Sequence, residues 1–124
     1  MWATNRFISR FSSLALLAVL TAGCSVKDTV TPPERLLSER EMIEILTDAN
    51  IIEGALNFRR SEGEDTHDLS LAYYEQLFEH YGINDSIFLD NLRYYTEKPA
   101  TLERITDSVY IRLTKEQDKI RRGE

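Results

Sequence analysis

From Met42 to Leu113 the apolar residues recur at helical spacing, and the recurrence breaks only around 61–68, 82–84 and 97–99. No stretch shows the strict alternation of a half-buried strand, so the pattern leaves helices as the only regular element the chain can build. The boundaries are written in local chemistry. Ser38-Glu39-Arg40-Glu41 is a capping box, with Leu37 and Met42 spaced as its hydrophobic staple. A first helix from there to about Arg60 places Met42, Ile45, Leu46, Ala49, Ile52 and Leu56 on one face. Arg59 and Arg60 suit its C-terminal dipole.

The polar stretch from Ser61 to Asp68 leads to a second helix over about 68–81, closed by Gly82 and burying Leu71, Tyr74, Leu77, Phe78 and Tyr81. Asn84 caps a short third helix carrying Phe88, Leu92 and Tyr95, which ends near Thr96 because Lys98 precedes a proline. Pro99 fits the first turn of a fourth helix, with Leu102, Ile105, Val109 and Leu113 at helical spacing, extending to about residue 121. The expected class is all-α: a small bundle of about four helices, with two long ones clasping a short pair.

The chain has one cysteine, Cys24, so no intrachain disulfide can form and the domain must stand on its apolar core. Ahead of it, Arg6 and Arg10 precede an apolar run from Phe11 to Leu20, the order of a secretory signal. That run is half the roughly 20 residues a membrane-spanning helix needs. Leu20-Thr21-Ala22-Gly23-Cys24 resembles a bacterial lipobox, with Thr21 where leucine is usual. The resemblance implies removal of residues 1–23 and lipidation of Cys24, and triacylation makes a stable anchor. Ser25 is not the aspartate that retains many lipoproteins on the inner membrane, so an outer-membrane position facing the periplasm is expected. Residues 24–37, with Pro32-Pro33, read as a flexible tether of at most about 45 Å. The helical domain then spans 38–124.

Loss of residues 1–23 removes two arginines and no acid, so the formal charge falls from −6 to −8. That balance argues against nucleic acid and against an electrostatic grip on anionic lipid. His67 and His80 are thirteen apart with no cysteine partner, which is no zinc spacing. Glu62, Glu64, Asp65 and Asp68 lack the ligand spacing of a calcium loop and read as a solvated loop that caps the second helix. With no phosphate-cradling glycine loop and no nucleophile elbow, neither catalysis, cofactor nor metal is expected.

Two features remain. Glu53 falls inside the apolar stripe of the first helix and needs a partner there. Arg93, Tyr94 or Tyr95 is the expected mate, in a polar cluster that is either structural or ligand-facing. The adjacent pairs Tyr73-Tyr74 and Tyr94-Tyr95 cannot both point inward, which makes Tyr73, Tyr74 and Tyr94 candidate interface anchors.

Several segments together, Ile45-Leu46-Thr47-Asp48 with Glu53, Tyr81-Gly82-Ile83 then Phe88, Leu92-Arg93-Tyr94-Tyr95, Pro99, and Leu102 with Ile105, resemble the small lipoproteins of domain of unknown function 4296. The likeness covers nearly all of the chain after the tether and implies no activity. Lys98 departs from the asparagine that family tends to place before the proline, which removes a helix cap. The expected function is a non-catalytic, lipid-anchored interaction module for an envelope protein. The alternative is a periplasmic holdase for outer-membrane clients, suggested by a looser likeness to the helical parts of periplasmic chaperones.

Overall fold

The computed structural model describes residues 30–123. Four helices follow in order, α1 (Glu39–Ser61), α2 (His67–His80), α3 (Asp85–Thr96) and α4 (Pro99–Arg122), and the described residues contain no strand. The Ser38 amide donates to Glu41 Oε2 at 2.7 Å while the Glu41 amide donates to Ser38 Oγ at 3.2 Å, closing the capping box. These bonds from Ser38 hold the Glu41 carboxyl below its ordinary pKa.

Gly63 and Gly82 take positive φ after α1 and α2. There the amides of Gly63 and Glu64 donate to Arg60 and Arg59, and those of Gly82 and Ile83 to Glu79 and Phe78, satisfying carbonyls that have no partner within the helix. The Asn84 side chain accepts from the Ile87 amide at 2.9 Å to start α3. At the head of α4, Pro99 stands without a side-chain cap. The Lys98 ammonium turns back to α3 instead, donating to the Tyr94 hydroxyl at 2.6 Å and lying 4.2 Å from the Tyr94 ring centroid.

The two long helices pack on each other and run the same way, since Arg104 meets Glu39 at 2.9 Å and, further along both, Arg112 lies 3.9 Å from Glu44. Parallel neighbours need a return path between the end of one and the start of the next. α2 supplies much of it, covering about 21 Å at 1.5 Å per residue, and runs antiparallel to α1. Two bonds fix that direction: Tyr81 donates to Asp48 at 2.7 Å and Tyr74 to Glu53 at 2.8 Å. α3 packs on α4. The short helices thus lie on the flanks of the long pair, rather than clasped between them.

Leu37, Met42, Ile45, Ala49, Leu77, Tyr95 and Ile105 form one buried cluster, with Leu56 and Val109 also buried. Fully burying a large apolar side chain stabilises by roughly 1.5–3 kcal/mol, so these few positions dominate the fold. Leu71, expected on the buried face of α2, is instead 61% exposed.

The expected tether is shorter than its composition suggests. The Leu37 amide donates to Asn91 Oδ1 at 2.7 Å, and Asn91 Nδ2 donates to the carbonyls of Arg35 and Ile87, each at 2.8 Å. The Tyr95 hydroxyl donates to the Leu37 carbonyl at 2.6 Å, and the Arg35 guanidinium to the Gly82 carbonyl at 2.5 Å. Arg35–Leu37 therefore belong to the folded unit, which starts before Ser38: Leu37 fills the core, and side chains of α3 satisfy the extended backbone beside it. Upstream, Val30, Thr31 and Pro33 share a hollow of about 220 Å³ with Asp90, Arg93, Tyr94 and Glu97. The expected signal segment 1–23 and Cys24 lie outside the described residues. Among the described residues no helix is long and apolar enough to cross a membrane.

Candidate functional site

Glu53 does not meet the residues expected of it. Its carboxylate accepts from the Tyr74 hydroxyl on α2 and, at 3.2 Å, from the Arg60 guanidinium about two turns further along α1. Arg93 pairs with Asp90 at 3.2 Å, Tyr94 is held by Lys98, and Tyr95 is buried against the Leu37 carbonyl. α1 has two neighbours that overlap along it: α4 runs beside Glu39 to Ile51, and α2 bonds to it at Asp48 and Glu53. Glu53 lies under α2 at its margin, where its side chain stays 45% exposed.

The two tyrosine–carboxylate bonds, Tyr74 to Glu53 and Tyr81 to Asp48, are the polar rungs between α1 and α2. Burial first, and then donation to the carboxylate, push the Tyr74 hydroxyl up to about 12, and the same two causes push Tyr81 upward. Both hydroxyls stay protonated donors at neutral pH, which suits a structural bond rather than acid–base work.

Of the candidate interface tyrosines, Tyr74 is thus turned toward α1. Tyr94 is half-buried under Lys98, and Tyr73 is half-buried beside Ile52, Leu77 and His80. The rings that stand out are Tyr110, at 72% exposed, and Phe58, at 68%. In the acidic loop, Glu64 pairs with Arg59 at 2.9 Å and Asp65 accepts from the His67 amide at 3.0 Å, so Asp65 supports the start of α2. The His80 ring packs edge-on to Tyr81. Among the described residues no group of three or more His, Cys, Asp or Glu is placed to hold a metal ion.

The concave feature that stands out is an open groove of about 680 Å³ along the flank of α2 and the turn that follows it. Leu71, Tyr74, Phe78 and Ile83 line it with apolar surface, and Glu75, Glu79 and Asp85 contribute carboxylates. The aromatic part is supported from behind: the Phe78 ring lies 5.9 Å from Tyr74 and 5.4 Å from Phe88 on α3. No lysine or arginine pairs with Glu75, Glu79 or Asp85 among the described residues.

A signal for the groove is present in the sequence. At about 100° per residue, Tyr73, Leu77, Tyr81, Tyr74, Phe78 and Leu71 spread over roughly 160° of α2, wider than one neighbouring helix covers. α1 takes the Leu77 side of that arc, and the Leu71–Phe78 side is left open. Glu75 and Glu79 follow next around the wheel.

No curated protein and no solved structure matches the chain. The model of a protein family does, over residues 33–119, beginning ahead of the capping box just as the folded unit does. The chain belongs to the family described as Domain of unknown function (DUF4296).

Proposed function

We propose that this protein is a non-catalytic, lipid-anchored module that holds another envelope protein at the periplasmic face of the outer membrane. The observation that carries the reading is the α2 groove, an open hollow of about 680 Å³ with apolar walls that the described residues leave uncovered. The anchor rests on Cys24 behind the Leu20-Thr21-Ala22-Gly23 run, and the choice of membrane on Ser25.

The docked N-terminal segment adds a distance. Val30 already lies beside α3. With lipid on Cys24, six Cα–Cα steps, at most about 20 Å, separate the anchor from the domain surface. Arg35, bonded to the Gly82 carbonyl, brings the incoming chain to the edge of the groove, because Gly82 lines it. A partner in the groove is therefore held close to the membrane. The holdase alternative has less behind it, since shielding varied unfolded clients calls for a broad apolar face, and this groove is confined and flanked by carboxylates.

Crosslinking the full chain in intact cells, followed by detergent extraction, tests the proposal. One partner at fixed stoichiometry is expected, and Cys24→Ala should release the domain from membranes. Many unrelated outer-membrane clients would favour the holdase, and recovery of no partner would overturn both.

A further inference from the structure

We infer that the α2 groove takes a segment of a different protein in which a bulky apolar side chain is flanked, within about one helical turn, by lysine or arginine. The inference rests on the adaptor reading and names the chemistry of its partner. Leu71, Tyr74, Phe78 and Ile83 offer apolar surface, and Phe88 backs the Phe78 ring, so a large apolar side chain finds a preformed seat.

The charged side chains that line the seat are all acidic, with the Arg35 guanidinium held at the Gly82 end. Glu75 and Glu79 stand one turn apart on α2, and Asp85 begins α3 beyond Ile83. None is paired with a cation among the described residues. An incoming acidic segment would meet like charges, while lysine or arginine on both sides of the anchoring residue would meet carboxylates it can pair with. A second copy of the chain is a poorer occupant, because copies that have lost residues 1–23 carry a net charge of −8 and repel one another.

The test uses the full chain in its native envelope, with the photocrosslinking residue benzoylphenylalanine at Leu71 and, as a control on a different helix, at Tyr110. Both sites are exposed, so neither insertion disturbs the core. Sequencing the captured peptides should show lysine or arginine within about four residues of the capture point. Joint reversal by Glu75→Lys and Glu79→Lys should lower capture at position 71 about tenfold, with an unchanged thermal melt. If the reversed variant melts early, Glu75→Gln with Glu79→Gln replaces it and should still lower capture.

Captured segments with acidic or uncharged flanks, or capture unmoved by the charge changes, would overturn the inference and leave the adaptor reading standing. Capture of a second copy, or capture only at position 110, would likewise remove the groove's assigned occupant. Failure to capture at either position, together with failure of general crosslinking, would remove the adaptor reading itself.

Discussion

Where α1 meets α3 and α4, Met42, Ile45, Tyr95 and Ile105 are sealed from solvent, and Asn91, wholly buried among them, uses its oxygen and both amide hydrogens. Where α1 meets α2, Leu77 reaches into the same buried cluster, and the contact adds two tyrosine–carboxylate bonds whose partners are only partly covered. In the first region these side chains are spent on the core. The second carries the apolar flank from Leu71 to Ile83 that remains open. Stability and available surface lie on different parts of the same spine helix: Tyr74, Phe78 and Ile83 back the groove and also pack on the core, whereas Leu71, Glu75 and Glu79 on its outer wall can vary without loss of the fold.

The largest expected effect is at Asn91. Asn91→Ala leaves the buried Leu37 amide and the part-buried Arg35 carbonyl without their partner and opens a cavity in the core. Each unsatisfied group costs about 1–3 kcal/mol, so a loss near 3 kcal/mol is expected. In a domain of this size that lowers Tm by about 15 °C. Calorimetry that found a smaller loss here than for the tyrosine variants below would invert the comparison.

Tyr81→Phe and Tyr74→Phe should each cost about 1 kcal/mol, the net worth of a half-solvated hydrogen bond. The same bonds set a pH limit. The Tyr74 hydroxyl titrates near 12 in the folded state and near about 10 when unfolded. Because the folded value is the higher one, its contribution is complete below about pH 10 and is lost as the pH rises through 12. A stability profile over that window should fall for the native chain and fall less steeply in Tyr74→Phe, where Tyr81 and Tyr95, also raised in the folded state, still contribute. At the bottom of the scale, Leu71→Ser should leave the melt within about 0.5 kcal/mol while weakening partner capture. A larger destabilisation would show that the groove belongs to the core.

The helix boundaries were legible because they depend on local chemistry. Ser38 with Glu41, Gly82, Asn84 and Pro99 act within a few residues of themselves, and each does so in the structure. The partner of Glu53 was not legible, since the wheel shows which face a residue occupies but not which of two neighbours covers that half of the helix. The role of Asn91 is hidden in the sequence for a related reason. It sits on the apolar face of α3 between Ile87 and Tyr95, and its bonding partners at Arg35 and Leu37 lie more than fifty residues upstream, in a stretch whose composition reads as tether. The groove could be traced to an over-wide apolar arc, whereas its exposure depended on the placement of α1 and α3.

Native-state hydrogen exchange tests the division most directly. Amides of α2 from Leu71 to Leu77 should exchange through a local opening at lower free energy than those of α1 from Ile45 to Ala49 and of α3 from Asn91 to Tyr95. Equal protection throughout, with every amide exchanging only on global unfolding, would contradict the claim that one half of the bundle holds the fold and the other is left to a partner.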